Sequence, residues 1–331
     1  MLDVLLILLL SFIPMLVYAG LLWWLDRYEK EPFGLLVTAF LWGAVPSIIL
    51  ALIMQVVLDI PIIAISTNQL IYNLLGASVI APITEEGVKS LSLLVLLLLF
   101  RREIDSPIDG LIYGGMVGFG FAAVENVFYL FGAYSEGGIA EVWSLAFLRA
   151  GIFGLNHAMY TAFAGLGVAL SLEIKQKVLK PLPVIAGISL AMLTHATHNT
   201  LATLTEHTSA LTLILAILAD WGGVFILLGI ALATMLLERH RIAIYSQKLA
   251  SDRMIPLRQV DVLKSVFLRR NMILQALFRG DFQRWWTLKR YHQKVSEAAF
   301  TYHRAQLGDG NAPRNLARLE TEYTALRQNL M

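Results

Sequence analysis

Seven long apolar runs follow one another along the chain, near 2–25, 34–58, 70–100, 107–133, 147–172, 181–205 and 208–237. A hydrocarbon core roughly 30 Å thick takes about 20 residues of helix, and each run has that length. Composition agrees: 57% of the 331 residues are apolar, 15% are charged and the mean hydropathy is +0.66, against about 25% charged in soluble domains. The expected fold is an all-α polytopic membrane bundle of about seven transmembrane helices. The third run is too long for one crossing and contains Pro82, which has no N–H to give a helix. It divides into a short segment over 70–81, short enough to be re-entrant, and a span over 83–100.

Basic residues mark alternate connections. Arg27 and Lys30 follow the first span, Arg101 and Arg102 the third, Lys175, Lys177 and Lys180 the fifth, and a long basic tail the seventh. The other connections carry Asp59, then Glu136 and Glu141, then Glu206 and His207. Lys and Arg collect on the cytoplasmic side, so the N-terminus is expected outside and the C-terminus in the cytoplasm. Val17-Tyr18-Ala19 has the look of a signal-peptidase site, but no positive charge precedes it and the apolar run continues through Leu25; an uncleaved first helix is expected.

Residues 1–237 carry 9 Lys/Arg and 16 Asp/Glu, whereas 238–331 carry 17 and 8. The chain therefore reads as a transmembrane core, 1–237, and a basic cytoplasmic helical tail, 238–331. Charged and apolar positions alternate in the tail as in short amphipathic helices, with a break from Gly308 to Pro313. Trp285 and Trp286, flanked by Arg284, Lys289 and Arg290, either rest on anionic lipid headgroups or form the core of a small domain. Basic residues there are interleaved with acids and no recognition motif is present, so no nucleic-acid partner is expected. The absence of cysteine excludes disulfides, thiolate nucleophiles and cysteine-ligated metals. Oligomeric state is open, with a homo-oligomer compatible with the sequence.

The informative residues are those foreign to hydrocarbon: Glu85, Glu86 and Lys89 in the third span, Glu125 and Asn126 in the fourth, His157 in the fifth, and His195, His198 and Asn199 in the sixth. Counting from the cytoplasmic ends at 1.5 Å per residue puts Glu86, Glu125, His157 and His195 at roughly 21 to 26 Å, on helices of alternating direction. A shared polar site explains one level better than independent accidents. Carboxylates plus imidazoles form a ligand set for a divalent metal, zinc foremost, which would lower the pKa of a bound water to about 7 and leave a spare glutamate as general base. Glu85 and Glu86 are about 100° apart on their helix and cannot present identically to one point. Lys89 is a turn from both and can hold one ionised.

Blander readings stand beside these: an intrahelical ion pair for Glu85 with Lys89, a structural bond for Glu125, packing for His157, and structure for Asp220 in the seventh span. Asn199 lies one turn beyond His195, where it could orient that histidine or donate to an oxyanion. No Ser-His-Asp or Ser-Lys arrangement stands out. Gly110, Gly114 and Gly118 repeat every four residues and read as a close-packing face. Asp105-Ser106-Pro107 with Asp109 reads as a helix start.

Four of these signals form an ordered set: Glu85-Glu86-x-x-Lys89, Phe121-x-x-x-Glu125-Asn126 with Tyr129, His157-x-x-x-Thr161, and His195-x-x-x-Asn199. On successive spans they resemble the PrsW family of intramembrane proteases, relatives of the CAAX-prenyl and bacteriocin-processing proteases, over about residues 20–205. The resemblance implies a metal-dependent protease of a bacterial plasma membrane acting on a single-pass membrane protein such as an anti-sigma factor. Residue by residue, it implies Glu85 and Glu86 as catalytic pair, Glu86, Glu125, His157 and His195 as metal ligands, and Asn199 as oxyanion or orienting group. His198 stands where the family often carries an aromatic residue and competes for a ligand role. A proton-coupled transporter using the same acids and histidines is the alternative reading, and a sensor or scaffold acting through the tail is a third.

Overall fold

Proline and glycine decide where the long apolar helices change pitch. The computed structural model describes residues 2–28, 30–65 (backbone alone from 61), 68–100, 103, 104, 106–205 and 207–330. The basic pair Arg101 and Arg102, Asp105 and Glu206 lie outside the described residues. Helix α1 runs Leu2–Leu25, and α2, Phe33–Trp42, passes through a π segment, Gly43–Ser47, into α3, Ile48–Ile65. The π segment contains Pro46, whose missing N–H the wider turn accommodates. Then come α4, Gln69–Leu75, a second π turn, Gly76–Ile80, and α5, Ala81–Leu99. Helix α6, Pro107–Ala146, bends at Gly138, whose φ of 69° is in the region that favours glycine. At its start the Ser106 backbone N–H donates to Asp109 at 2.7 Å. A π segment, Phe147–Ile152, leads to α7, Asn156–Glu173; α8 is Pro181–Thr205 and α9 is Ala210–Ser251. Helices α10 to α13 are Leu257–Lys264, Val266–Phe278, Phe282–Gln306 and Ala312–Gln328. No strand occurs among the described residues.

Among the described residues, five stretches are long and apolar enough to cross a membrane: Leu2–Leu25, Phe33–Ile60, Pro107–Glu173, Lys177–Thr205 and Ala210–Ser251. The third contains both α6 and α7, which the sequence separates into two runs. Helix α5 falls outside the five, as it carries Glu85, Glu86 and Lys89 within 19 residues. The chain is an all-α membrane bundle. The break expected at Pro82 takes another form: the backbone stays helical from Leu75 through Ala81, and a π turn absorbs the proline.

The chain forms two compact units, one of Met1–Leu25 with Glu31–Ala231 and one of Asp26–Lys30 with Leu232–Met331. The first is organised by α6, whose residues from Ile108 to Ala123 are all buried. Its glycine stripe faces α7 backbone: a Cβ at Gly110, Gly114 or Gly118 would run into the carbonyl of Gly165, Thr161 or His157 respectively. The spacing of the glycines is thus the reason α7 presents His157 and Thr161 where it does. The second unit has a core of Tyr28, Tyr245, Leu263, Tyr291, Val295, Phe300 and Tyr323, among others. Trp285 and Trp286 are not in that core, and Trp286 is 52% exposed, so of the two readings of this pair the small-domain core does not hold. The expected break appears as the turn between α12 and α13, with Gly308 at φ 92°.

Candidate metal and catalytic site

Helix α5 delivers Glu85, Glu86 and Lys89 to the interior of the first unit, where Glu86 and Lys89 are wholly enclosed and Glu85 is 6% exposed. Buried carboxylates need partners, and Glu86 has them on both oxygens. Its Oε1 accepts from Lys89 Nζ at 2.7 Å and from His195 Nδ1 at 3.0 Å, and its Oε2 accepts from Thr161 Oγ1 at 3.0 Å. Glu85 is held more loosely: Gln55 Nε2 of α3 donates to Oε1 at 3.1 Å, and Lys89 Nζ is 3.5 Å from Oε2. The two neighbours thus have different surroundings, as their angular separation on the helix requires.

His157 stands between an acid and a lysine. Its Nε2 lies 2.8 Å from Glu125 Oε2 and its Nδ1 3.0 Å from Lys89 Nζ. With a carboxylate on one side and an ammonium on the other, Nε2 carries the proton and Nδ1 turns its lone pair into the cluster. His195 repeats the pattern: Nδ1–H donates to Glu86, and Nε2 lies 4.0 Å from Glu85 Oε2. The His195 ring is stacked on Tyr160 at 4.7 Å with 13° between planes, and meets His157 edge-on at 5.1 Å.

Ligand atoms of Glu85, Glu86, His157 and His195 all lie within 4.8 Å of one another. Glu125 lies outside this group, one residue back: it orients His157 and is itself clamped by Arg149 Nη2 at 2.5 Å, while Arg149 Nε donates to Asn126 at 2.9 Å. Glu86, His157 and His195, three of the four ligands expected from sequence, thus fall in the group, and Glu85 takes the fourth place in it.

Asn199 faces away from the cluster. Its Nδ2 donates to the Ala77 carbonyl at 2.7 Å. In the π turn the Ala81 N–H bonds back to Gly76 O, so the next donor in that register would be residue 82, a proline. Asn199 supplies the N–H that Pro82 lacks and ties α8 to the turn ahead of Glu85 and Glu86. Asn199→Ala is therefore expected to destabilise the protein by about 1 to 3 kcal/mol, read as a lowered thermal midpoint. Asn199→Asp, which keeps the shape without the N–H, should fall as far; an unchanged midpoint would discard this role.

His198 and Asp220 form a separate polar group. Asp220 Oδ2 accepts from His198 Nδ1 at 2.7 Å and from Asn156 Nδ2 at 2.9 Å, and Oδ1 accepts from Tyr160 OH at 3.3 Å. Asp220 thereby fixes the phenol that stacks on His195. Gln55, Arg149, Asn156 and Tyr160 were not singled out in sequence. Arg149, a lone arginine in an apolar run, was the one readable signal.

The donor set fits a divalent metal of the zinc type. It supplies two carboxylate and two imidazole groups, each imidazole gives its N–H to a carboxylate as metal-bound histidines do, and the spread of up to 4.8 Å between ligand atoms is about 1.5 Å beyond what tetrahedral coordination needs. Lys89 occupies the same lone pairs with its ammonium, backed by the Phe121 ring at 3.7 Å, so it is the side chain that must turn for an ion to be held.

Fold and site together define a class: a helical membrane protein with an interior cluster of acids and imidazoles that could hold a metal ion. The chain belongs to the PrsW family of intramembrane metalloproteases, whose family model matches residues 31–237. It is 35% identical over 125 residues to a protein named Protease PrsW from Clostridioides difficile (strain 630), covering 37% of this chain and 50% of that one. It is 29% identical over 140 residues to a second Protease PrsW, from Geobacillus kaustophilus (strain HTA426), covering 42% and 55%. The chain spans about half the length of the curated relatives it matches. No solved structure gives a significant match.

Proposed function

We propose that this chain is an intramembrane endopeptidase that hydrolyses a peptide bond in or beside the transmembrane segment of a single-pass membrane protein, an anti-sigma factor being the substrate the family resemblance implies. The observation that carries this is the buried group of Glu85, Glu86, His157 and His195 drawn from three helices. Glu86, His157 and His195 are the proposed holders of a zinc-type ion. The ion, when bound, supplies Lewis acidity and a water acidic enough to attack at neutral pH.

Glu85 is the proposed general base. It is the carboxylate with an oxygen not committed to a short bond, and it is steadied by Gln55. Glu125 with Arg149 keeps the His157 ring in orientation and Tyr160 with Asp220 keeps that of His195, so both imidazoles meet the substrate already placed. Asn199 acts in this reading as an orienting group, through the Ala77 carbonyl. A helical substrate hides its carbonyls in its own hydrogen bonds, so it must unwind locally before attack. Residues 1–237 are the proposed catalytic core and 238–331 the cytoplasmic tail, in a multi-pass plasma-membrane protein of bacterial type with its N-terminus outside.

Detergent-purified protein is expected to hold about one equivalent of metal and to cleave a single-pass substrate. A chelator should remove both, and zinc should restore both. Cleavage that persists in metal-free protein would overturn the metal assignment, and uptake of a solute into proteoliposomes without any cleavage would overturn the protease.

A further inference from the structure

Arg269, in the first turn of α11, is buried in the second unit with 5% of its surface exposed. Nη1 donates to Ser296 Oγ at 2.7 Å, and the guanidinium lies 5.5 Å from the centre of the Tyr28 ring. Among the described residues, Nε and Nη2 have no partner. Those two N–H groups form the side-on edge of the guanidinium, the pair that grips two oxygens of one oxyanion. Tyr28 and Tyr291, both phenols, are the groups whose charge bears on it, and no acid among the described residues is paired with it. Burial lowers its pKa to about 10, which leaves it charged at neutral pH.

Next to it on α12, two more polar atoms are buried and unmatched. Tyr291 is 2% exposed and His292 5%, and among the described residues neither the Tyr291 hydroxyl nor His292 Nδ1 has a partner. Burial raises the Tyr291 phenol to about 12 against the pull of Arg327 and Arg269, and lowers His292 to about 3 with Arg269 adding to the effect. Tyr291 therefore keeps its proton and His292 stays neutral, so neither supplies the missing negative charge. A buried, unpaired guanidinium is among the most destabilising things a core can hold. A chain that keeps one beside an unmatched phenolic O–H is equipped for an anion from outside.

We propose that Arg269, with the Tyr291 hydroxyl, binds a phosphate-type oxyanion, either free phosphate or the phosphate of an anionic lipid headgroup. Two N–H groups on one edge and a phenolic O–H are three donors; phosphate meets each with a separate oxygen, where a carboxylate has two. The excess of basic over acidic residues across 238–331, 17 against 8, draws such anions in. This inference does not depend on the proteolytic reading of the first unit.

The test uses full-length protein in neutral detergent and phosphate-free buffer at constant ionic strength, with hydrogen exchange followed in α11 and α12. Inorganic phosphate is titrated in one arm. In the other, the protein is placed in bilayers of neutral glycolipid with or without phosphatidylglycerol. Slowing of exchange by tenfold or more is expected with at least one source: with phosphate, the ligand is the free ion; with phosphatidylglycerol alone, it is the headgroup. Arg269→Lys keeps the charge without the fork and should weaken the response at least tenfold, whereas Arg270→Gln, at an exposed neighbour, should leave it intact. If Arg269→Lys fails to fold, Tyr291→Phe takes its place with a smaller expected loss. No slowing from either source, or wild-type affinity in both Arg269→Lys and Tyr291→Phe, would overturn the proposal.

Discussion

Glu86→Gln is expected to lose bound metal and cleavage together, whereas Glu85→Gln keeps most of the metal and loses turnover by about 10²- to 10⁴-fold, the usual contribution of a general base. The difference follows from the surroundings of the two side chains. Glu86 is fully enclosed, and its oxygens accept from Lys89, His195 and Thr161. An amide in its place would turn an NH2 group either toward the Lys89 and His195 donors or toward Thr161, whose hydroxyl would have to reverse to accept, and would remove the charge that balances Lys89. Glu85 makes one contact near 3 Å, to Gln55, and a looser one to Lys89, so the amide fits there and what is lost is basicity. Elemental analysis and initial rates on a single-pass substrate, in one detergent, read both quantities. Equal, undiminished rates in the two variants would remove the glutamates from the chemistry altogether.

A second large effect is expected at a residue with no side chain at all. Gly118 faces the His157 carbonyl so closely that an added Cβ would overlap its backbone atoms and Ala158 Cα. Backbone cannot rotate aside as a side chain does, so Gly118→Ala must push α7 away from α6. Overpacking of this kind costs about 1 to 3 kcal/mol, and a shift of about 1 Å at a catalytic group lowers rate by about 10²-fold. Lowered thermal midpoint, reduced metal content and reduced cleavage should appear together. Gly222→Ala, on α9 with nothing within 4 Å of its Cβ, is the matched control and should retain wild-type cleavage and stability. A Gly118→Ala protein with unaltered rate and midpoint would show that the crossing has slack.

Much of this architecture is legible in the residue order, because hydrophobic length is a direct consequence of membrane thickness. Helices α1, α8 and the start of α9 lie close to where the apolar runs put them. The glycine stripe is also legible: three small residues four apart can only serve one face. Counting along helices gives depth but not azimuth, which limits what can be said of the site. Depth places Glu125 on the level of Glu86, His157 and His195, and it is indeed bonded to His157. What depth cannot tell is that Glu125 approaches the imidazole from the side away from Glu86, where Arg149 waits. Arg149 follows the bend at Gly138, in a π segment, and no periodic rule carries a position across such an irregularity. Gln55 and Tyr160 were unreadable for a different reason. Single polar or aromatic residues in apolar runs are common, and only tertiary packing reveals that these two touch Glu85 and His195.

The π turn at Gly76–Ile80 has a consequence for how tolerant the region is to changes in length. It holds one residue more than an ordinary helical turn, and it lies wholly ahead of the two glutamates. Deleting a single codon there would tighten the turn to normal pitch; a turn of either kind closes one full revolution, so α4 would keep nearly its present bearing, and Glu85 and Glu86 theirs on α5. A residue can therefore be lost at this one place without turning the preceding segment against the acids downstream, whereas a deletion within the regular helix of α5 ahead of Glu85 would rotate the two against each other by about 100°.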